Sequence, residues 1–237
     1  MKIGIPQQPN RRTAIVAGFS YLISLVIVVY VNFGIHDRLI VVDNPSETAR
    51  HILSQEQLFR IGIAGDILYC ACIVVLLTAL YILLRSVNPA LALLGALMRL
   101  VWVLMWLVMT LNLFDVLRLL HEAAGVRPAD AGQLQVLASL KLKARFDYYY
   151  VGLLYGSIAS TVCGYLWLKS RYVPRALSLF GLISSAWCVF CTLVFYVFPH
   201  FDDTVNLWWF DSPMAIFDIL ISFWLIIKGI RIHHPAK

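Results

Sequence analysis

Of 237 residues, 61% are hydrophobic and 14% charged, against roughly 45–50% and 25% in an ordinary soluble domain. A water-soluble fold of this size has no interior large enough to hide that apolar surface, which excludes a soluble enzyme or binding domain. Lipid becomes the solvent instead, with each helix satisfying its own backbone hydrogen bonds. The formal charge of +6 is not a nucleic-acid signal, because no soluble basic surface exists to present it.

In chain order, apolar runs fall at residues 13–35, 59–84, 90–117, 146–168, 174–198 and 212–230. Each is long enough to cross a hydrocarbon layer of ~30 Å, which takes about 20 helical residues. The expected fold is therefore an all-α polytopic bundle of six transmembrane helices, one integral membrane domain over residues 1–237. The first run is too long for a signal peptide. It ends in Asn32-Phe33-Gly34-Ile35-His36 rather than a small-residue cleavage site, so it is expected to remain as an anchor.

Two connections carry helical signals of their own. After Asn44-Pro45, the stretch SETARHILSQEQ (46–57) places Ala49, Ile52 and Leu53 on one face of a short amphipathic helix. Between the third and fourth runs, Asp130 caps a segment with Leu134, Leu137 and Leu140, expected to lie along the outer membrane surface. Tyr148, Tyr149 and Tyr150 at the start of the fourth run, and Trp208 and Trp209 near the start of the sixth, fit interfacial aromatic belts.

Lys and Arg are retained on the cytoplasmic side. With both termini inside, the inner segments hold ten basic residues, among them Arg11, Arg12, Arg85 and Lys169, and no acid. The outer segments hold eight basic and ten acidic residues. The expectation is a bacterial cytoplasmic membrane protein, N-in and C-in. All five cysteines lie in apolar runs, which argues against disulfides, and Cys188-x-x-Cys191 has no neighbouring His or Cys to complete a metal site.

Once the flanking charges are assigned to the two sides, Arg99, Asp66, Asp115 and Asp218 are left within or at the edge of the runs. A carboxylate at bilayer depth costs about 2.5–3.5 kcal/mol on insertion scales, so each such acid is a candidate functional group. Asp66 and Asp218 both sit roughly 10 Å below the outer surface at 1.5 Å per residue. Two carboxylates close together split their proton affinities, which makes them a candidate acid/base pair. Asn112, Asp115 and Tyr155 approach the same level as candidate ligand-binding groups. The alternative is that each acid accepts one hydrogen bond and fixes packing.

Arg99, Trp102 and Trp106 share one helix face at i, i+3 and i+7. Arg99 either binds an anionic headgroup between the indoles or snorkels to the inner interface. His200 with Asp202 and Asp203 reads as a solvated turn rather than a metal site. No phosphate-cradling loop, H-E-x-x-H helix or G-x-S-x-G turn is present, so neither metal nor cofactor is expected.

Four stretches carry a family resemblance: TARHILSQEQLFRIGIAGD (48–66), ALYILLRSVNPALALLGALMRL (79–100), YGSIASTVCGYLWLKSRYVPR (155–175) and YVFP (196–199). Over about residues 10–200 the chain resembles the bacterial membrane family catalogued as domain of unknown function 4386. Glu56, Arg60, Asp66, Arg99, Gly156, Gly164 and Pro174 stand where that pattern has like residues. It often carries a His two positions after Gly156, where this chain has Ile158, so no role of that His transfers. The family name implies no activity.

Three functions fit. One is the binding or handling of an apolar or amphipathic small molecule in a polar, acidic cavity in the outer half of the bundle. Another is an intramembrane cyclase, isomerase or lyase with Asp66 and Asp218 as general acid and base. The last is a structural or assembly subunit whose polar groups only lock helices together; membrane lipids are expected partners in each case. The topology is open to test: a membrane-impermeant thiol reagent is expected to leave cysteines introduced at positions 86–90 and 169–173 unlabelled from outside, and labelling there overturns it.

Overall fold

The computed structural model describes residues 10–41, 44–198, 200–201, 205 and 207–230, and the structural statements below refer to these alone. Side chains at 128, 129, 207 and 208 are outside that description, as are Pro199, Asp202 and Asp203; the belt residue Trp208 and the His200 turn fall there in whole or part.

Seven helices and no strands are present among the described residues: α1 (Arg11–Leu39), α2 (Pro45–Ser54), α3 (Glu56–Leu84), α4 (Pro89–Gly125), α5 (Pro128–Ser170), α6 (Arg175–Val197) and α7 (Leu207–Ile227). All but α2 are long and apolar enough to cross a membrane, which makes this a multi-pass membrane protein. Local chemistry sets the boundaries. The Asn44 side chain accepts from the Glu47 amide at 3.1 Å and Pro45 opens α2; Asn88 accepts from the Leu91 amide at 3.1 Å ahead of Pro89. At the far end of α7, Gly229 takes φ +67° and donates to the Trp224 carbonyl at 3.1 Å, the left-handed residue that closes a helix.

Within α1, Tyr30–His36 is π-helical. This is a rare geometry, found chiefly as short bulges at functional positions. It carries α1 beyond the expected limit of 35 to Leu39.

The second amphipathic segment is helical, but it is not a separate helix. It runs without a break into the fourth span as α5, 43 residues long. At 1.5 Å per residue α5 measures roughly 64 Å, about twice a hydrocarbon core. Its inward residues are Ala138 and Leu142, one turn apart, while Leu137 and Leu140 of the expected face are exposed.

The chain forms two compact units, and the division falls inside the helices. The Asp66 unit takes Val26–Ala71 and Val103–Gly152. Its core joins Ile35 and Leu39 of α1, Ala49 and Ile52 of α2, Phe59 and Ile63 of α3, Leu113, Val116, Leu117 and Leu120 of α4, and Ala138 and Leu142 of α5. The α3 and α4 contributors recur at helical spacing, one buried stripe per helix. The Arg99 unit takes the described residues up to Leu25, Cys72–Trp102 and those from Leu153 onward.

Small residues set the packing of the Arg99 unit, as in membrane bundles generally. A Cβ on Gly164 of α5 would lie 2.9 Å from the backbone nitrogen of Leu182 in α6, and one on Gly181 of α6 would lie 2.4 Å from the Phe217 ring in α7. Gly164→Ala is expected to lower stability by about 1–3 kcal/mol through overpacking. Gly132→Ala, where nothing lies within 4 Å of a new Cβ, should raise it by about 0.5–1 kcal/mol by removing a glycine from a helix interior. Reversible unfolding in mixed micelles measures both.

Candidate functional site

Asp66 on α3 is 1% exposed and both its oxygens are engaged. His36, also 1% exposed, lies with Nε2 3.2 Å from Oδ2, and Trp106 of α4 donates its indole N–H to Oδ1 at 3.1 Å. A proton on Nε2 gives this contact the geometry of an imidazole N–H donated to the carboxylate. The other ring nitrogen, Nδ1, is enclosed and has no hydrogen-bond partner among the described residues. The centre thus joins an aspartate, an imidazole with one idle nitrogen, and an indole, contributed by three helices.

The approach of α1 to α3 depends on two glycines one turn from or adjacent to Asp66. A Cβ on Gly65 would lie 2.5 Å from Val31 Cγ2, and one on Gly62 would lie 3.3 Å from His36 Cε1. Phe59 meets the His36 ring edge-on at 6.1 Å. Aromatic rings surround the indole: Tyr69 at 4.5 Å from Trp106, Tyr149 at 6.1 Å, and Tyr150 at 5.4 Å from Tyr149. Arg145 of α5 lies within electrostatic range of Asp66 and Asp37, and donates to the Asn32 side-chain oxygen at 2.7 Å. Asn32 and His36 belong to the same π-helical stretch.

A different polar group occupies the Arg99 unit. Arg99 is 6% exposed, donates to Ser160 Oγ at 3.0 Å and stands 5.7 Å over the Tyr21 ring. It is held inside the protein and does not snorkel. Asp218 of α7 is within electrostatic range of Arg99, and its Oδ1 is enclosed with no hydrogen-bond partner among the described residues. A pocket of about 10 Å³, lined in part by Leu80, Leu84, Gly95, Ala96, Arg99 and Cys163, adjoins this group; that volume holds about one water.

The other singled-out residues have their own surroundings. Asp66 and Asp218 fall in different units, each with its own neighbours. Trp106 belongs with Asp66, whereas Trp102 packs on Gly156 in the Arg99 unit, 3.3 Å from where a Cβ would stand. Asp115 is a half-exposed ion-pair residue, accepting from Lys141 at 2.8 Å with Arg118 at 3.6 Å. Asn112 and Tyr155 are partly buried and make no hydrogen bond with the described residues. Among the described residues no group of three or more His, Cys, Asp or Glu has the proximity to hold a metal ion.

His36 and Arg145 are the residues that reading the sequence missed. His36 sits one position beyond the expected end of the first span, and Arg145 one before the expected start of the fourth. The available signal was Gly62-x-x-Gly65-Asp66, which clears one helix face beside an intramembrane acid and so implies a close partner there.

A family profile described as a domain of unknown function (DUF4386) matches residues 16–229. No curated protein and no solved structure matches the chain. Trp106→Phe keeps the ring packed on Tyr69 but removes the donor to Asp66 Oδ1. The expected cost is about 1–3 kcal/mol for a buried acceptor left unmatched, read as a lower unfolding midpoint, with an unchanged midpoint counting against this geometry.

Proposed function

This chain belongs to the family described as a domain of unknown function (DUF4386), and on that footing we propose that it handles an apolar or amphipathic small molecule of the membrane at a proton-exchanging Asp66–His36–Trp106 centre. The observation that carries the reading is the fully buried carboxylate with an imidazole on one oxygen and an indole on the other. An acid at this depth is costly and is retained where it does something. With Nε2 committed to Asp66, Nδ1 is the atom free to take up or give a proton, and the carboxylate stabilises the imidazolium that results. Arg145, Asp37 and Cys70 are the other titratable groups whose fields couple to this centre. The surrounding tyrosines and Trp106 supply the apolar, polarisable wall that a lipidic ligand requires.

The same dyad also supports an acid–base enzyme, because a carboxylate that orients an imidazole is the arrangement of a general base. Turnover of an added apolar substrate that is lost in His36→Gln separates catalysis from binding. Arg99 is assigned a packing role that ties α4 to α5 through Ser160 and to α1 through Tyr21, with Asp218 within its field. The inward-positive charge distribution supports a cytoplasmic membrane with both termini inside.

Trp106 touches Asp66 directly, so its emission reports the protonation of the centre. In nanodiscs, the difference in fluorescence between the wild-type protein and Trp106→Phe is expected to change in one step between pH 4 and pH 9. Asp66→Asn and His36→Gln should each remove that step while helicity and monodispersity are retained. A step that persists in both variants rejects the centre as proton-exchanging.

A further inference from the structure

The acidic residues at the outer ends of the helices are largely matched by bases. Arg60 meets Glu56 at 2.7 Å, Lys141 meets Asp115 at 2.8 Å, Arg127 meets Asp130 at 3.3 Å, and Arg50 meets Glu47 at 3.6 Å. Arg145 differs. Although partly buried, it spends one N–H on a neutral amide oxygen, that of Asn32 at 2.7 Å, and stands 6.0 Å from the Phe146 ring centroid. Among the described residues no carboxylate oxygen comes within 4.0 Å of it. Asp66 and Asp37 reach it only through their fields, and both oxygens of Asp66 already accept a hydrogen bond.

A guanidinium withdrawn from water without a counter-ion is expensive. Its planar fork of five donors matches a carboxylate or phosphate in two-point fashion. None of its nitrogens is both enclosed and unpartnered, so the N–H groups not used by Asn32 open toward the molecular surface. Asn32 holds the fork from the π-helical stretch that also carries His36. Phe146, the next residue, is exposed and opens the apolar run read from the sequence at 146–168. A negative head at Arg145 thus places an attached hydrocarbon chain beside Phe146, in the membrane.

We propose that Arg145, held by Asn32, is a recognition site for the anionic head, carboxylate or phosphate, of a single-chain amphiphile. The inference rests on the small-molecule reading of the Asp66 centre and specifies the charge of what is handled. It adds a binding residue outside the carboxylate–imidazole–indole group.

Titration calorimetry of the full chain in a non-ionic maltoside, with dodecyl phosphate as probe, tests it. Saturable binding is expected, weakened about tenfold or more by Arg145→Lys, which keeps the charge but loses the fork. Asn32→Ala should weaken it too, and Lys143→Gln should leave it unchanged. Arg145→Gln should abolish it; should that variant fail to fold, Arg145→Lys decides. Inorganic phosphate that binds as tightly as dodecyl phosphate supports the anion chemistry but assigns the source to a free anion. Equal binding of dodecyltrimethylammonium, or undiminished binding to Arg145→Lys, overturns the proposal. If dodecyl phosphate fails to bind while the pH step of Trp106 persists, the anion site alone is wrong and the proton-exchanging centre stands.

Discussion

The constraint on which this protein turns is the desolvation of one carboxylate. Asp66 lies among helices that cross a membrane, where water cannot satisfy it and an unmatched charge would be driven out or neutralised. It stays because α1 and α4 each bring a ring nitrogen to one of its oxygens. Those donors fix the lateral order of three helices more tightly than apolar packing can, since lipid tails are as good a solvent for Leu as another helix is. Gly62 and Gly65 belong to the same constraint: the imidazole reaches the carboxylate only because the facing surface of α3 lacks side chains there.

Arg99 shows the complementary solution in the other unit. A guanidinium has more donors than one neighbour can use, and here Ser160, the Tyr21 ring and the field of Asp218 share it. Several weak partners around one cation make a stiff packing element with no idle proton-accepting nitrogen, unlike the imidazole of His36. Two buried charged residues of opposite sign are thus held differently, the carboxylate by one ring nitrogen on each oxygen and the guanidinium by several weaker partners.

The number and placement of the spans were legible because bilayer thickness translates directly into a length of apolar sequence. Asp66, Arg99 and Trp106 were legible as unusual residues for the same reason. Which of them meet was not, since depth along a helix says nothing of its neighbours; Asp66 and Asp218 share a depth in sequence yet belong to separate units. His36 escaped because the π-helical turn extends α1 past the last strongly apolar residue, and no hydropathy pattern encodes such a turn. The fusion of the outer amphipathic segment with the fourth span was likewise hidden. No proline or glycine pair interrupts residues 133–145, but helical continuity across a polar stretch is decided by the packing of Ala138 and Leu142. The glycines and Pro174 of the family pattern do mark real close approaches and a helix start.

The π-helical stretch has a consequence for how the chain can vary in length. A π turn holds one residue more than an α turn over the same rise, so everything beyond it is rotated by about 100° relative to an uninterrupted α-helix. His36, the last residue of the stretch, faces Asp66 in that shifted register. Loss of Val31 or Phe33 alone would let α1 relax to its ordinary pitch and carry the imidazole off the carboxylate with every functional side chain still encoded. The centre is therefore specified by a residue count as much as by residue identity, and an insertion or deletion in α1 is a more severe change than most substitutions there.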